Sequence, residues 1–373
     1  MKIGILGAGQ LARMLTLAAY PLGWRTLCFD PSAEACASDV TRVIQADYTD
    51  ETQLQHFASQ VDLITLENEN VPVSCLEKLA TYCPVYPNAT AIGVAQDRLQ
   101  EKQLFQHLAI PTPSFLAINT QAELIAGCQQ IGMPAVLKTR RFGYDGKGQY
   151  IIRTLEDIDK AWATLGAHAL ILESWVKFDR EVSLIAARNT QGETQFYPLV
   201  ENIHKMGMLH ISRAPFIDSG LTQQAQQHVT HLLDQLNYVG VLTVEFFACG
   251  HQLIANEMAP RVHNSGHWTI EGAVTSQFAQ HLRAICGLPL GNTATRDYSA
   301  LLNCIGEEPE FIPILQQKNA YYHCYHKTPK PLRKLAHITV NAPTQEEREQ
   351  QLAHLMKINP FSIGQELKDI VEY

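Results

Sequence analysis

The stretch KIGILGAGQLAR at residues 2–13 constrains the fold more than any other part of this sequence. A short apolar run enters two glycines one residue apart, and a segment with helical spacing follows. Strands that alternate with helices in this way pair in parallel, through right-handed crossovers. The next segments keep that grammar. QLARMLTLAAYPLG predicts a helix ended by Gly23, RTLCFD a strand closing on Asp30, residues 51–59 a helix beyond TRVIQAD, and DLITLE a buried strand. The proline-bearing YCPVYPNATA closes the unit, so a Rossmann-like α/β domain is expected over 1–95. GAGQLA also fits the G-x-G-x-x-A fingerprint, with Asp30 at about the spacing of an acid that reads a dinucleotide ribose. Three uses of the turn stay open: NAD binding, an anion corner whose amides face another ligand beside Gln10, or a tight turn with no ligand. No hydride-transfer site follows downstream.

Past residue 95 the grammar changes to mixed, largely antiparallel α+β material. AQDRLQEKQLFQHL predicts a helix over 95–108, stopped by Pro111 and Pro113. PAVLKT and GQYIIR flank the glycine-rich RRFGYDGKG, which reads as a hairpin with a flexible tip. ALILESWV, REVSLIAARN and QFYPLVENIH are further strands, 222–237 a helix, and GVLTVEFFAC and HQLIANEMAP a strand pair joined at Gly250. The last section has three short strands, ALLNCIG, NAYYHCYHK and LAHITVNA, and a helix at 344–356. A chain of 373 residues has room for two or three domains.

Bulk charge and cysteine usage exclude several classes of function. The formal net charge of -8 argues against nucleic acid as the main partner. Nine cysteines without a CxxC pair point to reduced thiols rather than a zinc knuckle or a disulfide framework. No leader-like segment opens the chain, and no run of about 18 apolar residues could span a bilayer. A cytoplasmic protein with no membrane contact is expected.

Four clusters carry chemistry. RRFGYDGKGQ lies between strands, so it is no Walker loop, but a glycine hairpin with Lys138 beside it can close over phosphates. VEF and NEM each set a carboxylate, Glu245 and Glu257, in an apolar strand, which is costly unless a cation neutralises the pair. Hard oxygen ligands near phosphates suit Mg²⁺, with Asn256 as a neutral helper. PRVHNSGHWT gathers Arg261, His263, Asn264 and His267; the glycine and asparagine disfavour a helix, so an anion pocket is the better reading than zinc. HKTPKPLRK brings Lys327, Lys330, Arg333 and Lys334 together in an acidic protein, as a stiff phosphate clamp would.

Taken together, GAGQLARM, LENENV, FGYDGKGQ, ESWVKFDREVS, ENIH, VEFF, NEMAPRVHNSGHWT and RKLAHITV resemble the ATP-grasp superfamily. The likeness runs from residue 7 to 340 and is strongest to its bacterial ligases that carboxylate an aminoimidazole ribonucleotide in purine biosynthesis. It implies a Rossmann-like N-terminal domain (1–95), a central ATP-grasp fold of two α+β subdomains (96–300), and a small β-rich C-terminal domain (301–373). It also implies 5-aminoimidazole ribonucleotide, bicarbonate and ATP as substrates, Mg²⁺ as the metal, carboxyphosphate as intermediate, and a homodimer. Arg98 and Lys138 are then the phosphate contacts, with Gly143, Tyr144, Asp145, Gly146, Lys147, Gly148 and Gln149 as the lid. Glu173, Ser174, Trp175 and Val176 form the adenine hinge, Glu181 takes the ribose, and His204 lies alongside the nucleotide. Glu245 and Glu257, with Asn256, carry Mg²⁺, and Arg261, His263 and Asn264 hold bicarbonate. Gln10, Leu11, Glu67, Lys327, Arg333 and Lys334 hold the ribonucleotide, and Asp145 and Lys147 meet the reacting groups. A formate-dependent glycinamide ribonucleotide transformylase shares this layout, but Arg261-Val262-His263-Asn264 favours bicarbonate.

Overall fold

The computed structural model describes residues 1–143 and 146–358. Its first unit is a parallel four-stranded sheet in the order Arg42–Gln45, Arg25–Asp30, Lys2–Leu6, Leu63–Leu66. The helix Gln10–Ala19 packs through Leu11, Ala12, Leu15 and Ala19 into a core that also holds Phe278, Leu282 and Ile285 of the helix Gln277–Ile285. Leu301 and Tyr325 belong to the same core, so beginning, middle and end of the chain are locked to one another. A cleft between them therefore has firm walls.

A second sheet, antiparallel in the order Phe115–Ile118, Leu170–Ser174, Ala135–Thr139, Gln149–Ile152, carries the glycine hairpin between its last two strands. The third sheet is nine-stranded and antiparallel. Its main path runs Gln252–Ala259, Gly240–Cys249, Arg180–Arg188, Val200–Lys205, Met208–Ala214, Tyr298–Ile305, Lys334–Ala342, Ala320–Cys324. The β-rich C-terminal unit is thus built on the edge of the central sheet, through the pairing of Met208–Ala214 with Tyr298–Ile305. The helix Ser219–Gln235 covers the central strands, and Gln345–Ile358 covers the C-terminal ones.

Several elements depart from the sequence reading. The helix expected over 95–108 is two: Ala89–Ala95 ends the first, and Asp97, extended and accepting the Leu99 N–H at 3.0 Å, caps a second at Arg98–His107. The cap sets the start of the second helix, and so the place of Arg98 at its head. The helix Gln121–Ile131 was missed although its Thr120–Glu123 capping box is written plainly in TQAE. The helix read at 222–237 spans Ser219–Gln235, beginning where Asp218 accepts the Leu221 N–H.

Candidate active site

The three units meet around a cleft of about 750 Å³. It brings together Gln10, Leu11 and Glu67 from the first unit and Arg98, Gly143 and Lys147 from the capped helix and the hairpin. His204, Glu245, Glu257, Arg261, His263 and Asn264 come from the large sheet and the loop after it, and Lys327, Arg333 and Lys334 from the C-terminal unit. Tyr144 and Asp145 lie outside the described residues. Gly146 lies against the turn at Met206 and Gly207, and Gly207 borders the cleft.

The glycine turn is filled from within. Asp30 accepts the Ala8 N–H at 2.7 Å, and Glu67 accepts those of Gly9 and Ala12 at 2.5 and 2.9 Å. These amides are the ones an anionic ligand would need, and here the protein's own carboxyls accept from them. Burial lifts the Glu67 carboxyl above its usual range although the Ala12 and Gly9 amides pull it down. What the corner offers the cleft is the side chain of Gln10, whose Oε1 accepts from Lys327. Titration with NADH, followed by its fluorescence, is expected to give no saturable curve; micromolar binding would restore the dinucleotide reading.

The geometry of the Glu245 and Glu257 pair follows from one irregularity. Glu245 and Glu257 stand directly opposite each other across two strands. The next pair along is Phe246 with Ala255, so Asn256 is an extra residue, a β-bulge. Alternation fails there: Leu253, Ala255 and Met258 point into the core, while the adjacent Asn256 and Glu257 both turn away from it. The Asn256 Oδ1 is buried without a hydrogen-bond partner. Two carboxylates, with an amide oxygen on the adjacent residue, are hard oxygen donors of the type that would suit Mg²⁺ beside phosphates. Among the described residues no three His, Cys, Asp or Glu side chains converge as an all-protein metal cage.

Charge in this set is unequal. Burial pushes both carboxyls up, but Arg98, donating to Glu257 at 2.8 Å, outweighs it there and holds Glu257 ionised. Glu245 stays raised, His204 offsetting the burial only in part. The two imidazoles beside it differ. Burial opposes charge on His204, yet Glu181 at 2.6 Å and Glu245 at 4.0 Å bring its pKa up to about 9, an imidazolium. His263 is lowered to about 3 by burial and by Arg261. Its Nδ1 accepts the Ser265 N–H, which leaves the neutral ring's proton on Nε2, 3.4 Å from Glu245.

Other predicted residues sit behind the lining. Lys138, paired across the hairpin with Gln149, donates to Glu173 at 2.8 Å. The Glu173 side chain is 2% exposed and its Oε1 is buried with no partner, at the strand end where Ser174 begins the half-buried run into Trp175 and Val176. Glu181 lies behind His204, and Gly148 against Thr139 at the hairpin base. Arg261 is held by both oxygens of Glu69, and Asn264 exchanges two hydrogen bonds with Asn303 at 3.1 and 2.7 Å. His267 turns inward to Gln277 rather than joining His263. Arg333 and Lys330 reach across to Glu34 of the N-terminal unit, at 3.1 and 3.5 Å. Glu69, Asn303 and the buried pair Glu101 and Lys102 were missed from sequence. Asn303 alone left a signal, as a lone amide in the apolar strand ALLNCIG.

Three family models match the chain: the ribonucleotide synthetase preATP-grasp domain at residues 1–96, the ATP-grasp domain at 103–278, and the phosphoribosylaminoimidazole carboxylase C-terminal domain at 299–351. The N5-carboxyaminoimidazole ribonucleotide synthase of Pseudomonas aeruginosa is 49% identical over 342 residues, 91% of this chain and 94% of that one. The enzyme of the same name from Vibrio cholerae is 40% identical over 366 residues, 96% of this chain and 95% of that one. Among solved structures, the N5-carboxyaminoimidazole ribonucleotide synthetase of Thermus thermophilus superposes with a TM-score of 0.92 at 49% identity, covering 96% of this chain and 98% of that one. The Aspergillus clavatus enzyme in complex with ADP and 5-aminoimidazole ribonucleotide gives 0.89 at 30% identity, covering 96% and 98%.

Proposed function

Because the chain belongs to the N5-carboxyaminoimidazole ribonucleotide synthase family of ATP-grasp ligases, we propose that its cleft holds ATP, bicarbonate and 5-aminoimidazole ribonucleotide together, in that order along its length. The activity is ATP-dependent carboxylation of 5-aminoimidazole ribonucleotide to its N5-carboxy derivative in purine biosynthesis, a carbon–nitrogen ligation. One observation carries the site assignment. Glu257, next to the bulge residue Asn256, stands opposite Glu245, and both carboxylates face one cleft with Arg261, His263 and Asn264.

In this reading Arg98 and Lys138 draw the phosphates in, and both already neutralise a carboxylate at their positions. Glu173, through its free Oε1, and the backbone of Ser174, Trp175 and Val176 take the adenine edge. Glu181 and His204 hold the ribose. Glu245, Asn256 and Glu257 would hold Mg²⁺, which when bound neutralises charge on the transferring phosphoryl group. Arg261, with the amide of Asn264 and the Nε2 proton of neutral His263, fixes bicarbonate in line with the γ-phosphate. A bicarbonate oxygen attacks that phosphorus, the bond to ADP breaks, and carboxyphosphate results. Carboxyphosphate then splits to phosphate and CO₂, and the ribonucleotide amine bonds to the CO₂ carbon and loses a proton.

Both carboxyphosphate and CO₂ are lost to water or diffusion in an open site, so the glycine hairpin has a chemical reason to close, with Asp145 and Lys147 as its contacts to the reacting groups. Lys327, Arg333 and Lys334 anchor the ribonucleotide phosphate, while Gln10, Leu11 and Glu67 set its other end. Division at 1–95, 96–300 and 301–373 and a homodimer belong to the same proposal, as does a cytoplasmic location. Among the described residues no helix is long and apolar enough to cross a membrane. The test is ADP release. Turnover is expected only with 5-aminoimidazole ribonucleotide plus bicarbonate, and turnover with glycinamide ribonucleotide and formate alone would replace this reading by the transformylase.

A further inference from the structure

The bulge beside Glu257 exposes backbone: Thr112 shares the Ala255 carbonyl at 3.0 Å, and a buried lysine answers for that carbonyl and the next. An extra residue in a ladder leaves peptide groups without cross-strand partners, and buried groups of that kind must be satisfied elsewhere. Lys102, on the capped helix Arg98–His107, is 0% exposed. Its ammonium donates to the carbonyl of Asn256 at 2.6 Å and to that of Ala255 at 3.2 Å, the two peptides that make the bulge. It also lies 3.8 Å from the Glu173 carboxylate that holds Lys138 at 2.8 Å. The neighbouring Glu101 accepts the N–H of Met258, on the far side of Glu257, at 2.6 Å. The same helix thus grips the backbone on both sides of Glu257, while Arg98 on its first turn grips that residue's side chain.

We propose that Lys102 is a positioning residue for the nucleotide half of the reaction: its buried ammonium fixes the bulge that presents Asn256 and Glu257 together, and sets the charge around Glu173 and Lys138. Lys102 touches no substrate in this role. It couples the metal carboxylate on one sheet to the phosphate lysine on another, which explains why so costly a charge is kept in the core. The inference rests on the assignment of Asn256 and Glu257 to Mg²⁺.

The test measures ADP binding to the full-length protein by calorimetry, with Mg²⁺ and with a chelator, beside steady-state kinetics. Lys102→Met should lose most of the Mg²⁺-dependent gain in ADP affinity. It should also lower kcat/KM for ATP on the order of 100-fold, as loss of one partner in a buried charged network does. KM for 5-aminoimidazole ribonucleotide should move less than about twofold, since the basic clamp is untouched. Lys102→Gln, neutral but still a donor, replaces it if the methionine variant does not fold, and should show the same split to a lesser degree. Equal losses for both substrates would reduce Lys102 to a structural role, and unchanged Mg²⁺ dependence would also overturn the proposal. Glu257→Gln, run alongside, separates the two layers. If it keeps the Mg²⁺-dependent affinity, the metal assignment fails; if it loses that affinity and Lys102→Met does not, only the positioning role fails.

Discussion

Glu257→Gln is expected to cut ADP release on the order of 10³-fold while leaving the fold and the ribonucleotide affinity in place. The substitution keeps size and an oxygen acceptor, so Arg98 retains a partner for the bond it now makes at 2.8 Å. What disappears is the negative charge that, in the proposed site, would hold the cation neutralising the phosphates. Glu245 is a poor substitute, because burial already favours its protonated form and the His204 imidazolium is committed to it and to Glu181. Initial rates at saturating ATP, with a thermal melt as the folding control, provide the measurement. Unchanged ADP production in a folded variant would refute the role of Glu257. The ribonucleotide KM should hold, since the basic clamp and Gln10 come from other segments of the cleft.

Legibility in the sequence followed the range of the interactions. Parallel strands of the first unit were readable because each is a local apolar run closed by a local breaker, and the glycine hairpin because its strands are neighbours in the chain. Glu245 and Glu257 were readable for the same reason, twelve residues apart on adjoining strands. The bulge between them was not, since nothing in LIANEMA separates a bulged strand from a regular one until the partner's register is known. Glu69 with Arg261 is a pair of 192 residues' separation, and Lys102 with Asn256 one of 154. Either residue alone reads as an exposed charge on a loop or a helix. The break at Asp97 has a local signature, since an acid before a helical run is a start signal, although the helix expected over 95–108 runs through it. The edge-to-edge joining of the C-terminal strands to the central sheet had no local signature either, because strand order depends on contacts between distant segments.

The opening turn gives the second large effect, on stability. Gly7 has φ +97°, and a methyl group there would lie 2.4 Å from Cγ of Glu67; at Gly9 it would lie 2.6 Å from the Oε1 of the same residue. The glycines of this fingerprint are therefore required by a carboxylate of the protein, not by a pyrophosphate. Gly7→Ala combines a left-handed backbone with overlap against a side chain that two amides hold in place, and an apparent destabilisation of about 4 kcal/mol is expected. Gly23 is the control. It also has positive φ, +69°, but nothing lies within 4 Å, so Gly23→Ala should cost only about 1 kcal/mol. Urea unfolding of the two variants gives the comparison, and similar small losses would show that Glu67 yields freely. Glu67 borders the cleft beside Gln10, so displacing it should raise KM for the ribonucleotide and leave KM for ATP unchanged. That asymmetry follows from the filling of the turn. With Asp30 and Glu67 on its amides, the glycine corner presents to the cleft the side chains it sets in place rather than its own N–H groups.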